Sequence, residues 1–219
     1  MGDLMPDQNI GAVLYIGDAH ISTWSLRPYL ALRHAGFQVD ARLIRLRQPQ
    51  SKADILNVSP NGKVPCLHHG DLIIPDSLAI CEYAHELAPH ARLWPEDRAI
   101  RAHARAISCE MHSGFAGLRR DLPMDMLNRL PAPPAAADDA LADIERVKQI
   151  WTACRMKYAG LGPYLFGHFT IADAMFGPVV SRFTTYNVET SPLLADYIAT
   201  MWQDHAMSEW LALAEVHQG

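Results

Sequence analysis

Several absences narrow what this chain can be. No run of residues approaches the length needed to cross a bilayer as a helix, so no membrane partner is expected. The opening MGDLMPDQNI has neither a basic region nor an apolar stretch and does not read as a secretory signal. Gly2 does not open a myristoylation motif, because Pro6 stands where serine or threonine is required. Basic charge is not in excess: the net charge is −5, and acidic and basic residues alternate, which argues against a nucleic-acid partner. Only four cysteines occur, Cys66, Cys81, Cys109 and Cys154, with no C-x-x-C pair and no histidine at zinc-ligand spacing, His68-His69 included. They read as reduced, mostly buried thiols of a cytoplasmic chain, and no metal is expected. There is no internal repeat.

What is present is an ordinary globular composition, 49% hydrophobic and 20% charged over 219 residues. That is enough for a single unit or for two domains of about 100 residues, each with a sizeable core. Residues 1–11 read as a loose extension. A strand is predicted over Ala12–Ile16, then a helix from near Ser25 with Pro28 in its first turn, stopped by Gly36. Val39 to Leu46 alternates apolar and basic residues, as a half-exposed strand does, and a short helix follows around Ala53–Asn57. Val64–Leu67 and Leu72–Ile74 form a hairpin about His69-Gly70-Asp71, and Asp76-Ser77 opens a helix. The order βαβαββα is thioredoxin-like and closes near Pro89, giving a domain over 12–89.

PHARLWPED then reads as a linker, over residues 90–97. Beyond it the period becomes helical throughout, so that 98–219 is an all-helical C-terminal domain. Ile100, Ala104, Ile107, Met111, Phe115 and Leu118 trace one long amphipathic helix with Gly114 and Gly117 near its end. LPAPPAAA at 130–137 is a loop, and Leu141 to Cys154 trace the next helix. Thr170 and Asp173 form a capping-box start with Phe169 as staple. Two further helices, near Pro192–Met201 and Met207–Glu215, complete a bundle.

The densest stretch is SPNGKVPCLHHGDLIIPDSLAICE, Ser59 to Glu82. Asp76 or Ser77 is a natural helix cap, satisfying first-turn N–H groups at the positive end of the dipole. Pro65 cannot donate to a ladder and so marks an edge, a bulge or a cis bond. A cis bond would turn the Val64 backbone outward, toward an extended ligand.

NGKVPCL followed by PDSLAICEY resembles the glutathione site of the soluble glutathione transferases, whose segment reads roughly N-P-x-G-x-V-P-x-L and then E/D-S-x-A-I. Ser59 stands where that family usually has asparagine. The F-x-[IL]-A-D segment of the family's helical domain is matched by FTIAD, so the resemblance covers roughly residues 12–215. It implies glutathione as co-substrate, a cis Pro65, Val64 pairing with the cysteinyl part, and Asp76 with Ser77 holding the γ-glutamyl group. It also implies a homodimer. For the glycine carboxylate, Lys63, Gln48 and Gln50 are candidates.

A glutathione thiol so placed meets the loop HISTWS, which offers hydroxyls at Ser22, Thr23 and Ser25 before a helix N-terminus. The loop has no cysteine, which points to a hydroxyl-stabilised thiolate rather than to disulfide chemistry. A thiol of pKa about 8.5 is only about 3% ionised at pH 7; lowering it by about two units requires about 2.7 kcal/mol. One hydrogen bond to a charged acceptor supplies about 1.5–3 kcal/mol and a helix N-terminus about 0.3–1, so a single hydroxyl suffices without acting as a base. The loop resembles the zeta-like pattern S-S-C-S-x-R of serine-type transferases, with Ser22, Thr23, Trp24, Ser25 and Arg27 in register. The resemblance puts Ser22 first as the catalytic hydroxyl and Thr23 second, with Trp24 at the cysteine of that pattern. Ser25 is left as helix cap.

Met111, His112, Phe115 and Arg119 are candidates to line a pocket for a small hydrophobic electrophile, although Met111 and Phe115 at helical spacing read first as core, and His112 and Arg119 could equally be solvated. The reading is a glutathione transferase. The alternatives are an isomerase or dehalogenase using the same thiolate, or a non-catalytic interaction module of the same fold. Keeping Ser22, Val64-Pro65 and Asp76-Ser77 together favours catalysis.

Overall fold

The computed structural model describes residues 12–130 and 135–217. The expected extension over 1–11 and residues 131–134 of the 130–137 loop lie outside them. A mixed four-stranded sheet has the order β2-β1-β3-β4, from β1 (Ala12–Ile16), β2 (Val39–Leu43), β3 (Cys66–His69) and β4 (Leu72–Ile74). β1 runs parallel to β2 and antiparallel to β3, which turns back antiparallel onto β4. Parallel pairing needs a crossover, and α1 (Thr23–His34) supplies it. Helices α2 (Ser51–Leu56) and α3 (Ser77–Leu87) complete this part. The rest is helical: α4 (Arg98–Ser113), α5 (Ala116–Asp121), α6 (Asp138–Tyr158), α7 (Ile171–Thr185), α8 (Pro192–Gln203) and α9 (His205–His217). Among the described residues no helix is long and apolar enough to cross a membrane.

One continuous core runs through both parts, from Leu14 and Ile16 of the sheet through Leu26 and Leu30 of α1 to Trp151, Phe176 and Trp210. The stretch between α3 and α4 belongs to it. Trp94 is buried and donates its indole N–H to Glu82 at 2.9 Å, while the Leu93 carbonyl accepts the Ile171 N–H at 2.8 Å. The 90–97 segment is thus a packed connection fastened to α3 and α7, with a single 3₁₀ turn at Pro89–Ala91. The Thr170–Asp173 capping box forms as expected, wholly buried, and Asp173 also accepts from Leu165 N–H and Tyr197 O–H.

Several expected boundaries move for local reasons. Ser22, not Ser25, takes the N-cap position of α1, so Pro28 falls inside the helix instead of in its first turn. β2 ends at Leu43 because Asp18 captures the Leu46 N–H at 2.7 Å and pulls the chain off the sheet. α2 begins at Ser51, whose hydroxyl accepts from Gln48 N–H and donates to the Arg45 carbonyl. β3 begins at Cys66, after the proline that cannot join its ladder.

The expected single helix over 100–118 is two helices. Gly114 is extended and Phe115 adopts the left-handed conformation, φ 61°, which buries its ring at the break. Asp143 of α6 then accepts the Leu118 N–H at 2.9 Å, and the Arg119 guanidinium donates to the Met111 and His112 carbonyls at the end of α4. The side chain and carboxylate supplied by the fold fill bonds that the interrupted helix would otherwise leave open.

At Gly117, α5 lies directly on α6: a Cβ there would sit 2.7 Å from the Ala140 backbone nitrogen. Two effects of Gly117→Ala oppose each other, a helix-propensity gain of about 1 kcal/mol and an overpacking cost of about 1–3 kcal/mol against backbone that cannot rotate away. Overpacking is expected to win, lowering stability by about 1–2 kcal/mol in a denaturant melt. A stabilised variant would mean that α5 and α6 are not in this contact.

Candidate functional site

Asp76 adopts an extended conformation and caps α3, its Oδ1 accepting from Leu78 N–H at 2.9 Å and Ala79 N–H at 3.0 Å. Its Oδ2 faces outward, 3.4 Å from His112 Nε2. Beside it Ser77 is buried with a hydroxyl that has no partner, a cost of about 1–3 kcal/mol unless a ligand meets it. These residues line a cavity of about 320 Å³ with Trp24, Asn61, Lys63, Val64, Pro65, Pro75 and His112. The Val64–Pro65 bond is cis, and Val64, which stands outside the β-ladder, lines this cavity. Asn61 shapes the floor: its Oδ1 accepts from Ser59 O–H and Lys63 N–H, and its Nδ2 donates to the Pro75 carbonyl at 2.5 Å.

A second cavity, about 250 Å³, adjoins the first, and the two share Trp24 and Val64 as walls. Ser22, Thr23, Arg47, Arg119, Met124 and Arg182 are among its lining residues. Ser22 makes no capping bond to α1 and donates instead to Ser25 Oγ at 2.8 Å, leaving the first-turn N–H groups of α1 uncapped by a side chain. Ser25 is not the cap either: wholly buried, it accepts the Gly17 N–H at 3.2 Å and so ties the helix start to the end of β1. Thr23 Oγ1 accepts from Arg182 Nη2 at 2.9 Å.

The charge here is of one sign. Arg182 is buried and donates to the Leu122 and Pro178 carbonyls as well as to Thr23. Burial pushes its pKa down, and Arg119 adds to this. Arg27 is fully buried with Nε and Nη1 unpartnered; burial, then Arg119 and Arg182, lower its pKa well below the usual arginine range. Arg27 and Arg119 lie over the Trp24 ring, 4.4 and 4.7 Å from its centroid, and His112 meets that ring edge-on at 5.4 Å. Among the described residues none of Arg27, Arg119 and Arg182 has a carboxylate within ion-pairing distance. An anion in the second cavity would meet that positive field.

Of the expected residues, the structure brings Trp24, Lys63, Val64, Pro65, Asp76, Ser77 and His112 to the first cavity, and Ser22, Thr23 and Arg119 to the second. Met111 and Phe115 are corrections: both are core side chains lining neither cavity, because the break at Gly114 turns Phe115 inward. Gln48 and Gln50 also line neither; both are exposed near the start of α2, and Arg47 reaches the second cavity instead. Arg182, Met124 and Asn61 were missed. Arg182 did carry a signal, as the one charged residue after Asp173 in the apolar run of α7.

Burial pushes the His112 imidazole below its usual pKa, Arg27 and Arg119 act in the same direction, and Asp76 opposes them. The ring is therefore neutral at pH 7 and charges only as the pH falls below the ordinary histidine range of about 6.5. Once charged it pairs with Asp76 and repels an ammonium group arriving there. Binding of glutathione, the ligand that the sequence resemblance implies here, is expected to weaken about fivefold on acidification when measured by calorimetry, the scale of a ~1 kcal/mol partly exposed pair. His112→Asn should flatten that profile; an unchanged profile in the variant would remove His112 from the account.

Residues 21–87 match the family model described as the glutathione S-transferase N-terminal domain. A probable maleylacetoacetate isomerase from Caenorhabditis elegans is 29% identical over 82% of this chain and 82% of its own length. Glutathione S-transferase Z2 of Arabidopsis thaliana is 29% identical over 69% of each. Among solved structures, a glutathione transferase homolog from Burkholderia, with bound glutathione, superposes with a TM-score of 0.71 at 22% identity, covering 94% of this chain and 98% of that one.

Proposed function

We propose that the chain belongs to the glutathione S-transferase superfamily, with zeta-like character, and is a serine-type glutathione transferase working in the cytoplasm as a homodimer, a reading supported by the match over residues 21–87 and by the relatives named above. In this reading residues 12–89 are the glutathione-binding domain and 98–219 the helical domain. The observation that carries the proposal is the shared wall of Trp24 and Val64 between the two cavities. A tripeptide with its γ-glutamyl end on Asp76 Oδ2 and Ser77 Oγ, and its cysteinyl backbone along Val64, delivers its thiol to that wall. Lys63 is the cation left for the glycine carboxylate.

Across the wall the sulfur meets Ser22, Thr23 and the N-terminus of α1. The Ser22–Ser25 pair can reverse: with Ser25 donating to Ser22, the Ser22 proton is free to point at a thiolate. That bond, the uncapped N–H groups and the arginine field together exceed the about 2.7 kcal/mol that thiolate formation at pH 7 requires. The thiolate, held against the second cavity, then attacks an electrophile bound there. Proximity and ionisation account for the rate, and no side chain needs to remove a proton in the attack itself.

Steady-state kinetics with glutathione and a chloronitrobenzene test this. Ser22→Ala is expected to lower kcat/KM by about 100-fold, the equivalent of about 2.7 kcal/mol, with glutathione affinity nearly unchanged. A larger loss in Thr23→Ala than in Ser22→Ala would transfer the role to Thr23. Tight glutathione binding without turnover by the wild type would favour the interaction-module alternative.

The arginines favour a second substrate that carries a carboxylate. Arg47, Arg119 and Arg182 line the second cavity, and among the described residues no acidic one does. An acidic electrophile, or one isomerised through its glutathione adduct, fits this lining, and the isomerase names of relatives lend that alternative support. A chloronitrobenzoate is expected to be turned over at least about tenfold more efficiently than the matching neutral benzamide, for one charge-assisted contact. Arg119→Gln should erase most of that preference, and equal rates on both compounds in the wild type would rule it out.

A further inference from the structure

The ends of α1 and α8 and the start of α9 bring together three side chains that the mechanism does not use. His34 closes α1, Asp204 links α8 to α9, and His205 opens α9. His34 Nε2 lies 2.8 Å from Asp204 Oδ2, the His34 and His205 rings are 4.7 Å apart, and one ligand atom from each residue lies within 4.8 Å of the others. We propose that His34, Asp204 and His205 form a binding site for a divalent transition-metal ion of the zinc and cobalt class, joining the sheet-bearing part to the last helix.

The ligand chemistry is suitable. Two imidazoles and one carboxylate are a borderline-soft set that selects such ions over magnesium or calcium, and three protein ligands leave a coordination position for water. The supports are already in place. His34 stacks on Phe169 at 3.5 Å with the rings parallel within 2°, which fixes its plane. Asp204 is buried; Tyr164 O–H donates to its Oδ2 at 2.8 Å, and the Ala206 and Met207 N–H groups donate to its Oδ1 at 2.9 and 3.2 Å. Outer-shell partners of this kind orient a ligand in advance. His205 is exposed, and its ring already lies against that of His34.

Binding needs a small rearrangement. Metal–nitrogen and metal–oxygen bonds of about 2.1 Å at a tetrahedral angle set His34 Nε2 and Asp204 Oδ2 about 3.4 Å apart, roughly half an ångström more than in the hydrogen bond. The metal replaces the shared hydrogen: Nε2 presents its lone pair to the ion, and the ring proton resides on Nδ1. The N-terminal dipole of α9 disfavours a cation, the C-terminal dipole of α1 favours one, and the carboxylate decides the balance.

Calorimetric titration of the chelator-stripped full chain with Zn²⁺, and visible absorption with Co²⁺, test the site. Expected are one equivalent bound with micromolar or tighter affinity and a Co²⁺ spectrum of tetrahedral intensity. His205→Ala should weaken binding by at least about tenfold, the scale of a lost ligand, while leaving the fold intact because the residue is exposed. His90→Ala, an exposed histidine elsewhere, should bind as the wild type does. Zn²⁺ should raise the unfolding temperature of the wild type and not that of His205→Ala. Absence of saturable binding, or equal binding by wild type and His205→Ala, would overturn the proposal.

Discussion

The bond from Arg182 to Thr23 is the constraint around which this molecule is arranged. It runs from the middle of the helical part to the first residue of α1, and it requires a guanidinium to be buried where no carboxylate pairs with it. Burying a charge so is expensive, and the cost is offset by carbonyls: Leu122 and Pro178 accept from Arg182, Met111 and His112 from Arg119. Arg27 is met by the face of Trp24, and the same ring receives Arg119. The N-terminus of α1 is thereby held by three arginines from α1, α5 and α7, and its position is fixed by packing contributed from both parts of the chain.

That arrangement carries the proposed chemistry. Burial lowers the pKa of Arg27, Arg119 and Arg182, neighbouring arginines add to this at Arg27 and Arg182, and an anion placed among them relieves both effects. A thiolate at Ser22 is one such anion and a substrate carboxylate beside it is another. The first cavity is built on the opposite logic. Asp76 uses one oxygen to cap α3 and keeps the other outward, so a carboxylate needed for helix stability also presents negative charge to the first cavity. Trp24 stands between the negative and positive halves.

What could be read from the sequence follows from how local each determinant is. β1 and β4 were predicted at their observed bounds, because a short apolar run between turn residues leaves little freedom. Asp76, Ser77, Val64 and Pro65 were legible because they lie in one contiguous hairpin-to-helix segment and resemble a known site. The break between α4 and α5 was not legible, since helical spacing continues through Gly114 and only the burial of Phe115 and the carboxylate of Asp143 decide against one straight helix. Pro28 misplaced the start of α1 because proline prefers a first turn, and tertiary packing overrode that preference. Arg182 and Met124 reach the site from segments some 100 or more positions from Thr23, and no period in the sequence reports such a meeting. His34 and Asp204 are a similar case, 170 positions apart and 2.8 Å from one another.

The central claim is that this protein holds glutathione as a thiolate at the start of α1. The most direct measurement is the ultraviolet thiolate absorbance of glutathione, titrated against pH with saturating wild-type protein. The account predicts a bound thiol pKa about two units below the free value of about 8.5, so that most of the bound glutathione is ionised at pH 7. A bound pKa equal to that of free glutathione would contradict it.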